Sequence, residues 1–136
     1  MPMLEVGAAI IVEEGRILLG QRPQEARLGG YWEFPGGKVE HGESARECIE
    51  REILEELGVA ARATTVICES VYTYSFGTVK LICMHTFLRH NNLSYNAHTQ
   101  LRWVELAHLH TYDLAPADVP AIEHLLRYFA QLEMNV

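Results

Sequence analysis

The chain has 136 residues, with 11 Lys and Arg against 18 Asp and Glu, so its formal charge is 11 − 18 = −7. At 49% hydrophobic and 21% charged it has enough apolar side chain for one buried core, which excludes an intrinsically disordered chain. The acidic balance, with no cluster of Lys or Arg, argues against a nucleic-acid partner, because duplex binding needs several cationic phosphate contacts.

No apolar run approaches the ~18 residues that cross a bilayer, and Met1 to Glu5 lack a basic leader, so no membrane partner and a cytoplasmic location are expected. Cys48, Cys68 and Cys83 are odd in number, far apart in the sequence and without a Cys-x-x-Cys pair, which suggests a reducing compartment and no zinc knuckle.

The apolar segment Val6 to Val12, the polar Glu13-Glu14-Gly15-Arg16 and the apolar Ile17-Leu18-Leu19 read as a hairpin. Residues Gln21 to Gly37 turn polar, then glycine-rich and aromatic, as a functional loop does. Ser44-Ala45-Arg46-Glu47 has the form of a capping box and Gly58 that of a left-handed C-cap, so a helix is expected from Ser44 to Leu57. Strands follow near Thr65 to Phe76, Val79 to Leu88 and Leu101 to Val104, with a turn at His90-Asn91-Asn92. Val119, Ile122, Leu126 and Phe129 mark the apolar stripe of a closing helix, and neither repeats nor a second domain are visible.

The acids concentrate on the first helix. At roughly 100° per residue, with Glu52 at zero, Glu55 falls near −60° and Glu56 near +40°, while Cys48, Ala45, Ile49 and Ile53 lie near −40°, +20°, +60° and +100°. Three carboxylates therefore extend the stripe that packs inward, where like charges repel at a growing cost as water is removed. Arg51 alone does not balance them. An all-oxygen cluster of this kind suits Mg²⁺ or Mn²⁺, hard cations that share their shell with substrate phosphates.

The spacing Gly37-x5-Glu43-x7-Arg51-Glu52-Ile53-x-Glu55-Glu56-x-Gly58-Val59 resembles the Nudix box, with every fixed position filled. Gln21-Arg22-Pro23, Trp32-Glu33-Phe34-Pro35-Gly36-Gly37-Lys38 and Leu114-Ala115-Pro116-Ala117-Asp118 are similar to the MutT-type and CTP-pyrophosphohydrolase-type branch, so the likeness spans nearly the whole chain. It implies an α/β/α sandwich around a mixed sheet in one domain, and a Mg²⁺-dependent (deoxy)nucleoside triphosphate pyrophosphohydrolase acting on a small nucleotide, as a monomer or homodimer. It also implies that Glu52, Glu55 and Glu56 bind metal and help activate water, with the Gly36 carbonyl as a further ligand. Arg51 would orient them, and Glu43 would assist a second metal or hold the loop. A helix-surface pair with Glu47 or Glu55 is the plainer reading of Arg51.

The same resemblance makes Arg22, Phe34, Gly37, Lys38 and Asp118 substrate-binding. Each has an ordinary alternative: solvated bases for Arg22 and Lys38, a core aromatic for Phe34, a cap on the last helix for Asp118. An ionised Asp118 would only accept hydrogen bonds, which leaves the choice between 8-oxo-dGTP and cytidine nucleotides open. No acid lies between Glu69 and Glu105, so water is activated within the box or with the help of His98, unless His98 is a plain loop residue. Hydrolysis of nucleotide sugars or dinucleoside polyphosphates is the rival activity. A non-catalytic nucleotide sensor is the rival outside enzymes, although no box glutamate is missing.

Overall fold

The computed structural model describes residues 3–134; Met1 and Pro2, part of the segment read for a leader, lie outside them. Strands β1 (Met3–Ile10), β2 (Val12–Glu13), β3 (Arg16–Gln21), β4 (Trp32–Glu33) and β5 (Gly36–Lys38) precede helix α1 (Ala45–Leu57). Strands β6 (Ala61–Tyr74), β7 (Gly77–Leu88) and β8 (Gln100–Glu105) follow, then a 3-10 turn (Leu106–Thr111) and helix α2 (Ala121–Met134).

One sheet has the order β5-β1-β7-β6 and is mixed, since β1 runs parallel to β7 from Met3↔Thr78 to Ile10↔His85 while its other pairs are antiparallel. In the second sheet β3 pairs with β8 along its whole length and with β2 and β4 at its two ends. Successive residues of a strand point to opposite faces. Ala8 and Ile10 accordingly enter a core with Ala121 and Leu125 of α2, whereas Ala9 and Ile11 enter a core with Ile49, Ile53 and Leu57 of α1. A strand apolar on both faces thus has a helix layer on each, the α/β/α sandwich expected from the sequence.

That same double-faced burial limits the expected hairpin. Only Val12–Glu13 pairs back on Arg16–Ile17, through a turn in which Glu14 and Gly15 both take positive φ, and β1 leaves to lie beside β7. A second correction concerns the closing helix: Val119 and Leu126 are 49% and 40% exposed, and the packed stripe is Ala121, Ile122, Leu125 and Phe129. The helix begins two residues after Val119, which shifts the face that meets the sheet. Strand β6 starts earlier than expected and carries register shifts between Ala63 and Cys68. Cys68 and Cys83, distant in sequence, are cross-strand partners with free thiols.

Helix α1 forms as its sequence dictates. Ser44 accepts from the Glu47 N–H, the Glu47 carboxylate accepts from the Ser44 N–H, and Gly58 closes the helix at φ 70° with its N–H on the Leu54 carbonyl. Cys48, Ile49, Ile53 and Leu57 are fully buried; each of the three large aliphatics contributes about 1.5–3 kcal/mol through removal from water. Ser44→Ala should lower the unfolding free energy by about 1 kcal/mol in urea denaturation, because it orphans a helix-end N–H; an unchanged midpoint would show that the cap is dispensable.

Candidate active site

Strand β5 is the floor of the site. Its antiparallel register with β1, Ala8↔Gly36 and Gly7↔Gly37, holds the glycines directly over α1. A Cβ on Gly37 would come within 2.4 Å of the Glu52 carboxyl carbon, so a side chain there would displace that carboxylate from under the strand. The Gly36 N–H donates to Glu56 Oε1 at 3.2 Å.

Arg51 organises the outer half of the acidic face. Its Nε donates to Glu43 Oε2 at 2.7 Å and its Nη2 to Glu43 Oε1 at 2.9 Å, a bidentate fork. Its Nη1 reaches Glu52 Oε1 at 2.9 Å and Glu55 Oε2 at 3.4 Å, and Nη2 also donates to the Lys38 carbonyl. The hydrogen bonds from Arg51 hold the Glu43 carboxyl down at about 2. Glu43 Oε1 also accepts from the Glu40 N–H, which ties down the loop before α1. Arg51 therefore gathers Glu43, Glu52 and Glu55 together, and Glu47 is engaged by Ser44 instead.

Glu56 is left without a cation among the described residues. Burial pushes its carboxyl up to about 9, reinforced by the charges of Glu33 and Glu52 and by a hydrogen bond with Glu52. With Glu56 buried against Glu52, the pair is an all-oxygen donor set short of positive charge, and this fits a hard divalent cation. Glu52, Glu56 and the strand at Gly36 meet there. Glu55 points elsewhere, its side chain 59% exposed and paired with Arg51. Among the described residues no three His, Cys, Asp or Glu side chains converge in ready ligand geometry.

Beside this floor opens a cleft of about 240 Å³, lined among others by Arg22, Phe34, Lys38, Tyr74, Leu81 and Asp118. Phe34 is both core and wall, 3% exposed and packed among core residues while facing the cleft. Asp118 does not cap α2 with its side chain. Its Oδ2 accepts from the Phe34 N–H at 3.0 Å, and burial pushes its carboxyl up to about 8. Burial favours the protonated carboxyl, which would donate as well as accept, whereas the ionised form expected from the sequence would only accept. Arg22 spans from Glu33 Oε1 at 3.1 Å to the Arg27 carbonyl at 2.7 Å, and Lys38 is exposed at the rim.

Glu33 is the site residue that sequence reasoning missed. Its signal was the alternation of Trp32, Glu33 and Phe34, in which the aromatics go inward and the acid goes the other way. His98 is not a solvent-exposed loop residue: it is 6% exposed and its Nε2 lies 2.9 Å from Glu33 Oε2, so its partner is Glu33 rather than a box glutamate. Tyr74 also joins the wall, its hydroxyl accepting from the Ala117 N–H at 2.8 Å.

A family model described as NUDIX domain matches residues 7–124. The CTP pyrophosphohydrolase of Escherichia coli K12 is 41% identical over 123 residues, covering 90% of this chain and 91% of that protein. A putative 8-oxo-dGTP diphosphatase 2 of Mycobacterium tuberculosis is 35% identical over 125 residues, covering 90% and 87%. Among solved structures, the E. coli ORF135 protein aligns with a TM-score of 0.83 at 38% identity, over 96% of this chain and 94% of that one. A MutT protein from Methanosarcina mazei aligns with a TM-score of 0.84 at 26% identity, over 93% and 95%. With the box glutamates gathered under a glycine strand and the match running through nearly the whole chain, this protein belongs to the Nudix hydrolase family, in its MutT and CTP-pyrophosphohydrolase-like branch.

Proposed function

We propose that the protein is a Mg²⁺-dependent pyrophosphohydrolase that converts a (deoxy)nucleoside triphosphate and water into the monophosphate and pyrophosphate, with cytidine-type nucleotides (CTP, dCTP, 5-methyl-dCTP) as substrates. The observation that carries this reading is the placing of the Glu52–Glu56 pair, with Glu56 unpaired by any cation among the described residues, beside a cleft whose wall holds the buried Asp118. When bound, Mg²⁺, or Mn²⁺ in its place, would offset the charge of the triphosphate and acidify water held beside it. Glu52, Glu56 and the Gly36 carbonyl are the residues to hold it, with Glu55 as the reserve carboxylate now on Arg51.

The chain's own residues divide the remaining work. Arg51 keeps the Glu52 carboxylate turned toward β5 and anchors the loop through Glu43. Glu56, once its proton has been displaced, is the base nearest the floor. Arg22 and Lys38 meet phosphate oxygens, and the glycine backbone at Gly37 allows the phosphates to approach closely. Phe34 and Tyr74 flank the base, while the neutral Asp118 carboxyl donates to cytosine N3 and accepts from its exocyclic amine. The 41% identity to a protein named CTP pyrophosphohydrolase supports the cytidine reading. A neutral carboxyl also complements the O6 and N1–H edge of a purine. With the 35% identity to a protein named 8-oxo-dGTP diphosphatase, this supports 8-oxo-dGTP as the second reading and a role in nucleotide-pool sanitation. We place the enzyme in the cytoplasm, as a monomer or homodimer, consistent with its three free cysteines.

With Mg²⁺, CTP and dCTP should release phosphate only when inorganic pyrophosphatase is added. A faster rate on 8-oxo-dGTP would move the assignment to the oxidised purine, and activity confined to ADP-ribose or diadenosine tetraphosphate would overturn it. Glu56→Gln should lower kcat on the order of 10³-fold while circular dichroism and melting stay native-like; a folded variant of full activity would remove Glu56 from the mechanism.

Burial raises the Asp118 and Glu56 carboxyls above their ordinary values of 3.8 and 4.5, so the native state binds more protons than the unfolded state. Their contribution to stability is complete below about pH 4 and is lost as pH rises through about 8 to 9. The metal-free protein should therefore lose Tm between about pH 5 and about pH 9, and Asp118→Asn should flatten that slope. Added Mg²⁺ should raise Tm more at the alkaline end, where a cation replaces a proton already leaving; equal shifts at both ends would separate the metal from these carboxylates.

A further inference from the structure

His98, on the chain just before β8, is buried behind Glu33, which lines the cleft. A Cβ on Gly20 of β3 would sit 2.5 Å from the imidazole Cδ2, so the ring lies flush on that strand where only glycine makes room. On the neighbouring β4, Gly20 is the register partner of Glu33. The ring is thereby aimed along the sheet at that carboxylate, and its Nε2 stands 2.9 Å from Glu33 Oε2. The other nitrogen, Nδ1, is buried with no hydrogen-bond partner among the described residues. With no acceptor at Nδ1, a neutral ring carries its single proton on Nε2, facing Glu33.

Glu33 is thus held at both oxygens, Oε2 by His98 and Oε1 by Arg22 Nη1 at 3.1 Å. Arg22 is in turn held at Nε by the Arg27 carbonyl, which leaves its Nη2 without a partner among the described residues, on a side chain that lines the cleft. We propose that His98 is a positioning residue for nucleotide binding: the chain His98–Glu33–Arg22 locks the Arg22 guanidinium in the direction from which it meets the triphosphate. His98 itself touches no substrate. The chain works because a carboxylate gripped on one side cannot swing, and a guanidinium held by that carboxylate at Nη1 and by a backbone carbonyl at Nε keeps its plane. Without the imidazole, Glu33 is free to rotate about its side-chain bonds and Arg22 follows it out of register.

This inference rests on the reading of the cleft as a triphosphate site, and its test has one arm that does not. In the first arm kcat and KM for CTP are measured for the wild type and for His98→Ala, His98→Gln, Arg22→Ala and the His98→Ala/Arg22→Ala pair. Glutamine sets an amide N–H where the imidazole Nε2 lies. His98→Ala should raise KM about tenfold with kcat changed far less, and His98→Gln should restore most of the loss. In the Arg22→Ala background His98→Ala should add almost nothing, because both act through one guanidinium. A fall in kcat at unchanged KM, equal damage in the Ala and Gln variants, or additive losses in the pair would overturn the proposal.

The second arm is nitrogen-15 NMR of the histidine rings in the metal-free, nucleotide-free protein. An Nε2-bound proton on His98 that is protected from exchange in the wild type and exposed in Glu33→Gln supports the chain. A proton on Nδ1, or protection indifferent to Glu33, overturns it. If the wild type hydrolyses no triphosphate, the functional reading fails by itself and this arm still decides whether His98 grips Glu33.

Discussion

The constraint on which the rest of the structure depends is the seating of a glycine strand on the acidic face of a helix. A side chain at Gly36 would run into the backbone of β1 at Gly7, and a methyl group at Gly37 would occupy the space of the Glu52 carboxylate on α1. The close approach traps Glu52 and Glu56 between backbone and core, and that burial makes their charge expensive. The cation requirement of the site follows from packing before any substrate is considered. The strand is itself anchored by β1, whose two apolar faces place it between both helices.

Around that floor the cations are assigned sparingly. Arg51 is committed to Glu43 and Glu52, and Arg22 is committed to Glu33. Glu56 and Asp118 have neither among the described residues, and burial pushes both carboxyls up, to about 9 and about 8. The surroundings differ: Glu56 shares its environment with Glu33 and Glu52, whereas Asp118 sits against the Phe34 N–H in the wall of the cleft. In the proposed function the two carboxyl groups would serve opposite uses, one toward phosphate and one toward a base.

Helix α1 was legible in the sequence almost to the residue, because its caps, its apolar stripe and its acidic arc are all set by bonds and angles within one helix. The cleft was legible in part. Arg22, Phe34, Lys38 and Asp118 do line it, but Glu33 and His98 were not linked, since they come together only when β3 places β4 on one side and the chain before β8 on the other. The first hairpin and the stripe of α2 were misread for a related reason. Val6 to Val12 and the final helix are apolar around much of their circumference, so local pattern does not say which neighbour each face will meet.

The sequence by itself determined the chemistry available to this protein: the glutamates at helical spacing, the glycines ahead of them, and with these the family and its class of reaction. Helix periodicity and backbone sterics act over a few residues, so they can be read from a string. Only the tertiary structure decided which carboxylates lose their cations. It turned Glu55 to solvent and Glu56 inward, buried Asp118 against the Phe34 N–H, and set His98 behind Glu33. Those outcomes depend on desolvation and on the distance between charges from separate elements, quantities that exist only once the sheets and helices have packed.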